Sequence, residues 1–379
     1  MPAYKLRVTP LTPVHVGTGE SIAAEDYFLT NNKLVRFRPA AVVRAMKPEK
    51  RREYQALLSG DANSLLRALK LLRGEAERDP GTWLYAVGIG AASRQALSVV
   101  IEKLEARTGE VRPLFWNEAR GTAVIPGSAI KGAIRTAIVA AMAARRGVRD
   151  TAWWKRWTDR IIQASEGNNQ KASKKLAEAA KEFEEDVLGF NSGNLESDPF
   201  RFVKVSDGEV AAEGVQVDRS RLVTGQRDYR AESIQMHHER LLSISDGSRQ
   251  GEFECILQLD HERAGKQQLR GPLSWVPDLD SLRVWCNWHY DRRYSSEKKR
   301  FPELYPQALD QSFEAAKAQG VVLRLGRFSH FEALSVEGMR RTLSRNRQWI
   351  SEGSSRTACD LGNGRKLPYG WVSITIAEA

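Results

Sequence analysis

Polar and apolar residues alternate strictly along Tyr4-Lys5-Leu6-Arg7-Val8, the period-two pattern of a half-buried strand. A turn-rich stretch from Thr9 to Glu20 follows. Two short apolar runs, Tyr27–Leu29 and Leu34–Phe37, then flank Asn31-Asn32 and predict a hairpin. Across residues 40–75, Leu57, Leu58, Leu65, Leu66, Leu69 and Leu72 recur at mixed three and four spacing, which predicts helix. Ala91 to Ala106 predicts a second helix, and a third starts at Pro126-Gly127-Ser128 and runs to about Arg146. Residues 150–188 are polar with helical spacing and are interrupted by Gly167-Asn168-Asn169, so they predict an inserted helical hairpin. In it, Trp153 and Trp157 are spaced as a docking face for another helix or subunit. Asn191-Ser192-Gly193 and Asp198-Pro199 punctuate the chain most clearly. Beyond them the strand-like segments are Phe200–Val205, Val210–Val217, Arg240–Ile244, Phe253–Leu259, Val321–Leu325 and Trp371–Ile376, with a helix at Gln307–Ala318. Trp285 and Trp288 fit a strand edge or loop, and Lys298-Lys299-Arg300 fits a solvated loop. Strand–helix–strand order on both sides of the break predicts an α+β fold of two related modules, residues 1–195 and 196–379.

Composition narrows the class. With 379 residues, 41% hydrophobic and 28% charged, the chain can bury a sizeable core without disulfides or metal. Cys255, Cys286 and Cys359 are far apart and form no CxxC pair, which fits reduced thiols. No apolar run approaches the roughly 18 residues of a membrane span, and Met1-Pro2-Ala3-Tyr4-Lys5 has no secretory core. The expectation is a cytoplasmic protein with no membrane partner. The net charge of +11 is one-sided: residues 1–150 carry 24 Lys and Arg against 14 Asp and Glu, and the remainder 34 against 33. Such a field draws polyanions, nucleic acid above all, although solubility alone would also account for it.

The stretch Val124-Ile125-Pro126-Gly127-Ser128-Ala129-Ile130-Lys131-Gly132-Ala133-Ile134-Arg135 carries the strongest local chemistry. Ser128 suits a helix N-cap, and free amides at a helix start attract phosphate. Ser128, Lys131 and Arg135 share one face, and Gly132 leaves room for a ribose or backbone. The same residues fit an ordinary capped amphipathic helix. Ser128-Ala129-Ile130-Lys131 matches the S-x-x-K of penicillin-binding enzymes, but no K-T-G or S-D-N accompanies it. Gly17 and Gly19 allow close backbone approach, yet their spacing is neither a dinucleotide nor a P-loop signature. His15 beside them is a candidate general base or stacking ring, or a structural histidine. Asp26 precedes a strand and has no companion acid. His237-His238-Glu239 lacks a metal-ligand spacing, and no cofactor or metal is implied.

Several stretches together resemble one family. Leu11-Thr12-Pro13-Val14-His15-Val16-Gly17-Thr18-Gly19-Glu20 resembles the opening of RAMP proteins, the repeat-associated subunits of type III CRISPR effector complexes. Ile125–Arg135 is similar to the family's I-P-G-S-S-[IL]-K-G-x-[IL]-R helix start. Asp198-Pro199-Phe200-Arg201-Phe202-Val203-Lys204-Val205-Ser206-Asp207 resembles a stretch of the family's fifth-subunit branch in type III-A (Csm) complexes. Gly251-Glu252-Phe253-Glu254 and the glycine-rich Asp360–Trp371 resemble two further family segments.

This resemblance implies two ferredoxin-like (RRM-type) modules with helical insertions. It also implies a non-catalytic place at the 3′ end of the CRISPR RNA (crRNA), capping the backbone filament and supporting 3′-end maturation. The implied partners are crRNA, an adjacent backbone RAMP subunit, the small helical Csm subunit, nearby target RNA and recruited host nucleases. Carried onto this sequence, Ser128, Lys131 and Arg135 hold guide phosphates, and His15, Gly17 and Gly19 line the same groove. Gly362, Gly364 and Arg365 form a second glycine-rich contact. Asp26 falls roughly where the backbone RAMP keeps its target-cleaving aspartate, but nothing builds a cleavage site around it, and no catalysis is expected. The rival reading is a metal-independent endoribonuclease that processes repeat RNA with His15 as general base. A backbone or other-subtype RAMP subunit is the remaining alternative.

Overall fold

A computed structural model describes residues 2–30, 32–103, 109–166, 170–191, 193–224, 227–228, 236–266, 277–344 and 348–378. Asn31, residues 104–106, Gly167-Asn168-Asn169 and Ser192, all used in the sequence reading, lie outside the described residues. The chain starts with β1 (Ala3–Pro10) and the hairpin β2 (Tyr27–Leu29) and β3 (Lys33–Phe37). Helices α1 (Pro39–Ala45), α2 (Pro48–Leu58) and α3 (Ala62–Arg78) follow, then β4 (Trp83–Ile89) and α4 (Ala91–Lys103). Next come β5 (Val111–Arg112), β6 (Phe115–Asn117), β7 (Thr122–Ile125), α5 (Gly127–Arg149), α6 (Thr151–Ala164) and α7 (Gln170–Leu188). After residue 195 the strands are β8 (Val203–Val205), β9 (Gly208–Ala211), β10 (Val215–Thr224), β11 (Arg227–Asp228), β12 (Met236–Leu241) and β13 (Phe253–Leu259). Then run α8 (His261–Lys266), α9 (Leu279–Arg300), α10 (Gln307–Gln319), β14 (Val321–Arg324) and α11 (His330–Ala333). The last strands are β15 (Thr342–Leu343), β16 (Trp349–Ile350), β17 (Ser355–Gly362), β18 (Arg365–Pro368) and β19 (Trp371–Glu378).

β1 sits at the centre of a five-stranded antiparallel sheet of order β14-β19-β1-β13-β8, with Leu6 opposite Cys255 on one side and Ile376 on the other. Alternation does the sorting that the sequence predicts. Leu6 and Val8 of β1, with Phe253, Cys255, Leu257 and Leu259 of β13, are buried in the main core. Lys5 and Arg7 stay on the other face, where both pair with Glu254 at 2.6 and 3.2 Å. The outward residues of β1 and β13 include no aromatic ring, so this face offers no stacking platform of the RRM kind.

Helix α5 packs its apolar side into the same core. Ile130, Ile134 and Ile138 are each fully buried, worth about 1.5–3 kcal/mol apiece. Beside it lies α9, whose Tyr290 hydroxyl donates to the Ala133 carbonyl at 3.0 Å.

The larger sheet follows the path β18-β17-β10-β4-β3-β2, with β12 and β11 also on β10 and β5 on β12. β4 and β10 are parallel neighbours, with Gln216 opposite Gly88, joined in part through α4. The helical stretch over residues 40–75 divides into three helices. Pro48 starts α2, and the Asp61 carboxylate caps α3 by accepting from Ser64 N–H at 2.9 Å. With β2 and β3 these helices enclose a small core of Phe28, Val35, Phe37, Val42, Met46, Leu72 and Ala76.

Both sheets draw strands from either side of residue 195. β1 pairs with β13 and β19, and β4 with β10, so a cut at 195/196 would sever each sheet. Trp285 and Trp288 lie on α9 rather than beside a strand or in a loop, and Lys298-Lys299-Arg300 is its last turn. Lys298 pairs with Asp310 at 2.7 Å and Arg300 with Glu352 at 3.1 Å, so these cations are tied down rather than free in solvent. The paired α6 and α7 form the expected inserted hairpin, and Trp153 and Trp157 both donate their indole N–H to Asp186 of α7, at 2.6 and 2.7 Å. Among the described residues, no helix is long and apolar enough to cross a membrane.

Candidate nucleic-acid interface

Strand β7 hydrogen-bonds to β9, with Ile125 opposite Gly208, and delivers the chain into α5. The helix begins at Gly127 with Pro126 as its N-cap, so Ser128 is a first-turn residue and not the cap. Gly127 is required by close packing: a Cβ there would stand 2.2 Å from the Val205 carbonyl and 2.5 Å from that of Ser206. The Gly127 N–H donates to the Asp207 carboxylate at 2.7 Å. The helix dipole and one free amide are therefore already answered by an acid.

Arg135 is also committed. It donates to both Asp198 oxygens at 3.0 and 2.8 Å, bonds Glu184 of α7, and lies 4.8 Å from the Phe200 ring centroid. Asp198 in turn accepts from Phe200 N–H at 2.9 Å. The expected phosphate contact of Arg135 is thus replaced by an internal tie, since its guanidinium already has two carboxylates and an aromatic face. The stretches 125–135 and 198–207 meet twice, once at Gly127–Asp207 and once at Arg135–Asp198, and together form one joint between α5 and the end of the five-stranded sheet.

What this joint leaves open is small and cationic. Ser128 is exposed, and Gly132 is exposed with nothing within 4 Å of where a Cβ would stand. Lys131 is half-buried and makes no ion pair among the described residues. Burial lowers its ammonium pKa, Asp198 opposes this, and Arg135 and Lys204 add to the lowering. An anion placed here would relieve the repulsion and replace the lost solvation. Lys204 escaped the sequence reading. Its signal was the Val203-Lys204-Val205 alternation, which turns the lysine outward from a short edge strand.

The opening loop behaves differently from the expectation. Leu11 through His15 are buried, as backbone bonds tie the loop into both sheets: Leu11 N–H to Trp371 O, Leu241 N–H to Val14 O, Gly370 N–H to Pro13 O and Arg327 N–H to His15 O. His15 is only 1% exposed and donates through Nδ1 to the Glu239 carbonyl at 2.7 Å. Its pKa falls to about 4 through burial, which outweighs that hydrogen bond, with Arg327 and Arg112 adding to the fall. The ring is neutral and sealed, so it lines no groove and has no access to substrate as a base. Gly17 is close-packed because its Cβ would lie 2.4 Å from His15 Nε2. Only the tip is open. There Gly19 adopts a φ of +88° and Arg112 holds the Gly19 and Glu20 carbonyls at 3.1 and 3.2 Å.

The glycine-rich turn between β17 and β18 is a tight hairpin with three successive positive φ values: Gly362 (+82°), Asn363 (+51°) and Gly364 (+78°). Asp360 anchors it by accepting from Gly362 N–H at 3.1 Å and pairing with Arg219 and Arg221. Arg365 reaches the Ser245 carbonyl at 3.0 Å, and the Ser245 hydroxyl donates to Leu11 O at 2.6 Å. The turn therefore adjoins the start of the opening loop. Among the described residues, no hydrogen bond or ion pair joins it to the α5 start.

Asp26 sits in a single 3₁₀ turn, where burial and Glu25 raise its pKa against the pull of Arg36. His237, His238 and Glu239 are interior. Glu239 accepts from Tyr85 OH, Leu114 N–H and Trp116 Nε1–H and so bolts β12 to its neighbours. No group of His, Cys, Asp or Glu among the described residues is arranged to hold a metal.

The profile of the RAMP superfamily matches residues 7–301. The chain belongs to the RAMP superfamily. Its fold is similar to one chain of a cryo-EM structure of a Csm–crRNA–target RNA ternary complex of a type III-A CRISPR–Cas system. That likeness has a TM-score of 0.61 at 17% identity and covers 98% of this chain and 100% of the other. It is also similar to the crystal structure of T. onnurineus Csm5, with a TM-score of 0.59 at 19% identity over 97% and 99% of the two chains. No curated protein matches the sequence.

Proposed function

We propose that this RAMP protein is an RNA-binding, non-catalytic subunit of a type III-A (Csm) effector complex that caps the filament at the crRNA 3′ end and supports 3′-end maturation. The observation that carries the reading is Lys131, a partly desolvated ammonium with no ion pair among the described residues, within the field of Lys204 and near the open Gly132 in the first turns of α5. This arrangement suits a sugar-phosphate chain held by charge and shape, which leaves base identity free for pairing. The full-length likeness to a chain of a Csm–crRNA complex supports the assembly. The strand order β19-β1-β13-β8, with α5 and α9 packed on it, supports a ferredoxin-like first module. Burial of His15 supports binding rather than cleavage.

The guide contact then consists of Ser128, Lys131, Gly132 and Lys204, with the exposed Gly19 and Gly364 and the half-buried Gly362 as turn tips available to neighbouring RNA or subunits. The test is RNA binding by the purified chain across a salt series. Lys131→Ala and Lys204→Ala should each lower affinity for every RNA sequence and flatten the slope of log K against log salt by about 0.7–1. Affinity lost for one repeat sequence only would overturn the reading. Within the assembled complex, deletion of this subunit should abolish a ragged crRNA 3′ end while leaving the 5′ end fixed.

A further inference from the structure

The end of α5 lies about 27 Å along the axis from Lys131. Where it meets α7 and α9, a cavity of about 360 Å³ opens. Its floor is apolar, made by Met142 of α5, Val187 of α7 and Trp285 of α9. Its rim holds three cations of α5, Arg145, Arg146 and Arg149, and one acid, Asp150. Two of these four are already engaged. Arg146 pairs with Asp186 at 3.2 Å and lies 4.4 Å from the Trp153 ring centroid. Asp150 caps α6 by accepting from Trp153 N–H through Oδ1 at 2.8 Å, and its Oδ2 makes no hydrogen bond among the described residues. Arg145 and Arg149 are exposed, and their guanidiniums have no hydrogen bond or ion pair among the described residues. They stand one turn apart on the same face of α5, where like charges repel. The helix end behind them carries about half a negative charge, too little to neutralise two guanidiniums.

We propose that this cavity binds a nucleoside monophosphate unit. The phosphate lies between Arg145 and Arg149, the base covers Met142, Val187 and Trp285, and a hydroxyl or amino group donates to Asp150. Three features of the lining select this ligand. A phosphate has enough oxygens to serve two guanidinium forks at once, whereas a carboxylate is filled by one. The open Asp150 oxygen repels the acid of a peptide side chain, but it accepts from the ribose hydroxyls and exocyclic amines that a nucleotide carries beside its phosphate. Met142 is half-buried and Trp285 is 8% exposed, so the floor is a shallow apolar surface that a flat ring covers without parting the helices. The site shares no residue with the contact at the start of α5. Its chemistry fits one nucleotide of an RNA chain and a free nucleotide alike.

The test is calorimetric titration of the full chain with AMP, CMP, GMP, UMP and inorganic phosphate, in the parent and in Arg145→Ala/Arg149→Ala. Both arginines are exposed and unpaired, so the double variant should keep the parent melting temperature. A nucleotide should bind about tenfold more tightly than inorganic phosphate, because the floor adds contacts to the ring. The double variant should bind it about tenfold more weakly than the parent, and Arg145→Lys/Arg149→Lys should recover part of that loss. In Lys131→Ala nucleotide affinity should stay at the parent level, which separates this site from the contact at the start of α5. Ultraviolet crosslinking of the native assembly then distinguishes the sources: RNA joined to Met142 or Trp285 marks a nucleotide of the chain, and a nucleotide released by acid marks a free one. Equal affinity for inorganic phosphate and nucleotides, or nucleotide binding that survives the double substitution, would overturn the proposal. So would the absence of nucleotide binding together with the absence of RNA adducts at Met142 and Trp285.

Discussion

Replacing Arg135 separates two accounts of the same family-like stretch of sequence, one in which it grips RNA and one in which it holds the protein together. In Arg135→Ala, Asp198 and Glu184 lose their shared cation and Phe200 loses the guanidinium stacked 4.8 Å from its ring. The Arg135 side chain is 22% exposed, so solvent recovers part of the loss. Two charge-assisted contacts at such a site, with an aromatic contact added, amount to about 2–3 kcal/mol. Spread over a chain of 379 residues with about 2 cal/mol/K of unfolding entropy each, that lowers a cooperative melting temperature by about 3 °C. Arg135→Lys should recover little of this, because an ammonium cannot serve two carboxylates and stack on Phe200. The assays are calorimetric unfolding of the RNA-free chain and RNA affinity measured well below the transition. The expected pattern is reciprocal: Arg135→Ala melts lower and still binds RNA, while Lys131→Ala melts normally and binds less. A variant that kept the parent melting temperature but lost RNA affinity would show the guanidinium to be free for phosphate and would refute the internal tie.

Other substitutions at the same joint have opposite signs. Asp207→Asn keeps a side-chain acceptor for Gly127 N–H but removes the negative charge at the start of α5, so RNA affinity should rise at low salt, as measured by filter binding. Gly127→Ala should cost about 1–3 kcal/mol or more in urea unfolding, since its Cβ meets two backbone carbonyls that cannot yield. Gly132→Ala should stabilise α5 by about 0.5–1 kcal/mol, with nothing near the new methyl, yet reduce RNA affinity by crowding the open second turn. The buried imidazoles set an acid limit. His15, His237 and His289 have folded-state pKa values near 4 because burial disfavours their charged forms. The unfolded chain therefore takes up protons first, and stability present above pH 6.5 should drain away as pH falls toward 4. Urea midpoints across that window should fall more gently in His15→Gln than in the parent chain.

Much of the local structure was legible because it is decided locally. The Tyr4–Val8 alternation, the β2–β3 hairpin and the isoleucine stripe of α5 each bury what their periodicity says they bury. Helix α9 was illegible for a physical reason: its inward face contains His289, Arg293 and Glu297, polar residues that a pattern of apolar positions cannot count. They are acceptable inside because of partners distant in sequence. Burial pushes the Glu297 carboxyl pKa up, but Arg324 and Arg356 outweigh it and hold it at about 2. His15 and Arg135 failed in the same way, since Glu239 lies 224 residues from the first and Asp198 lies 63 from the second. Residue type announced a chemical capacity in each case, and tertiary pairing then used it up.

That distinction bears on what family-like stretches mean. The opening loop and the 125–135 and 198–207 segments read as RNA contacts because they are rich in glycine and charge. Most of those residues instead fasten the opening loop between two sheets and α5 to the sheet end. Fastening also serves the proposed function. A phosphate contact at Lys131 and Lys204 would work only if the helix start beneath it cannot move, and Gly127, Asp207 and Arg135 supply that rigidity.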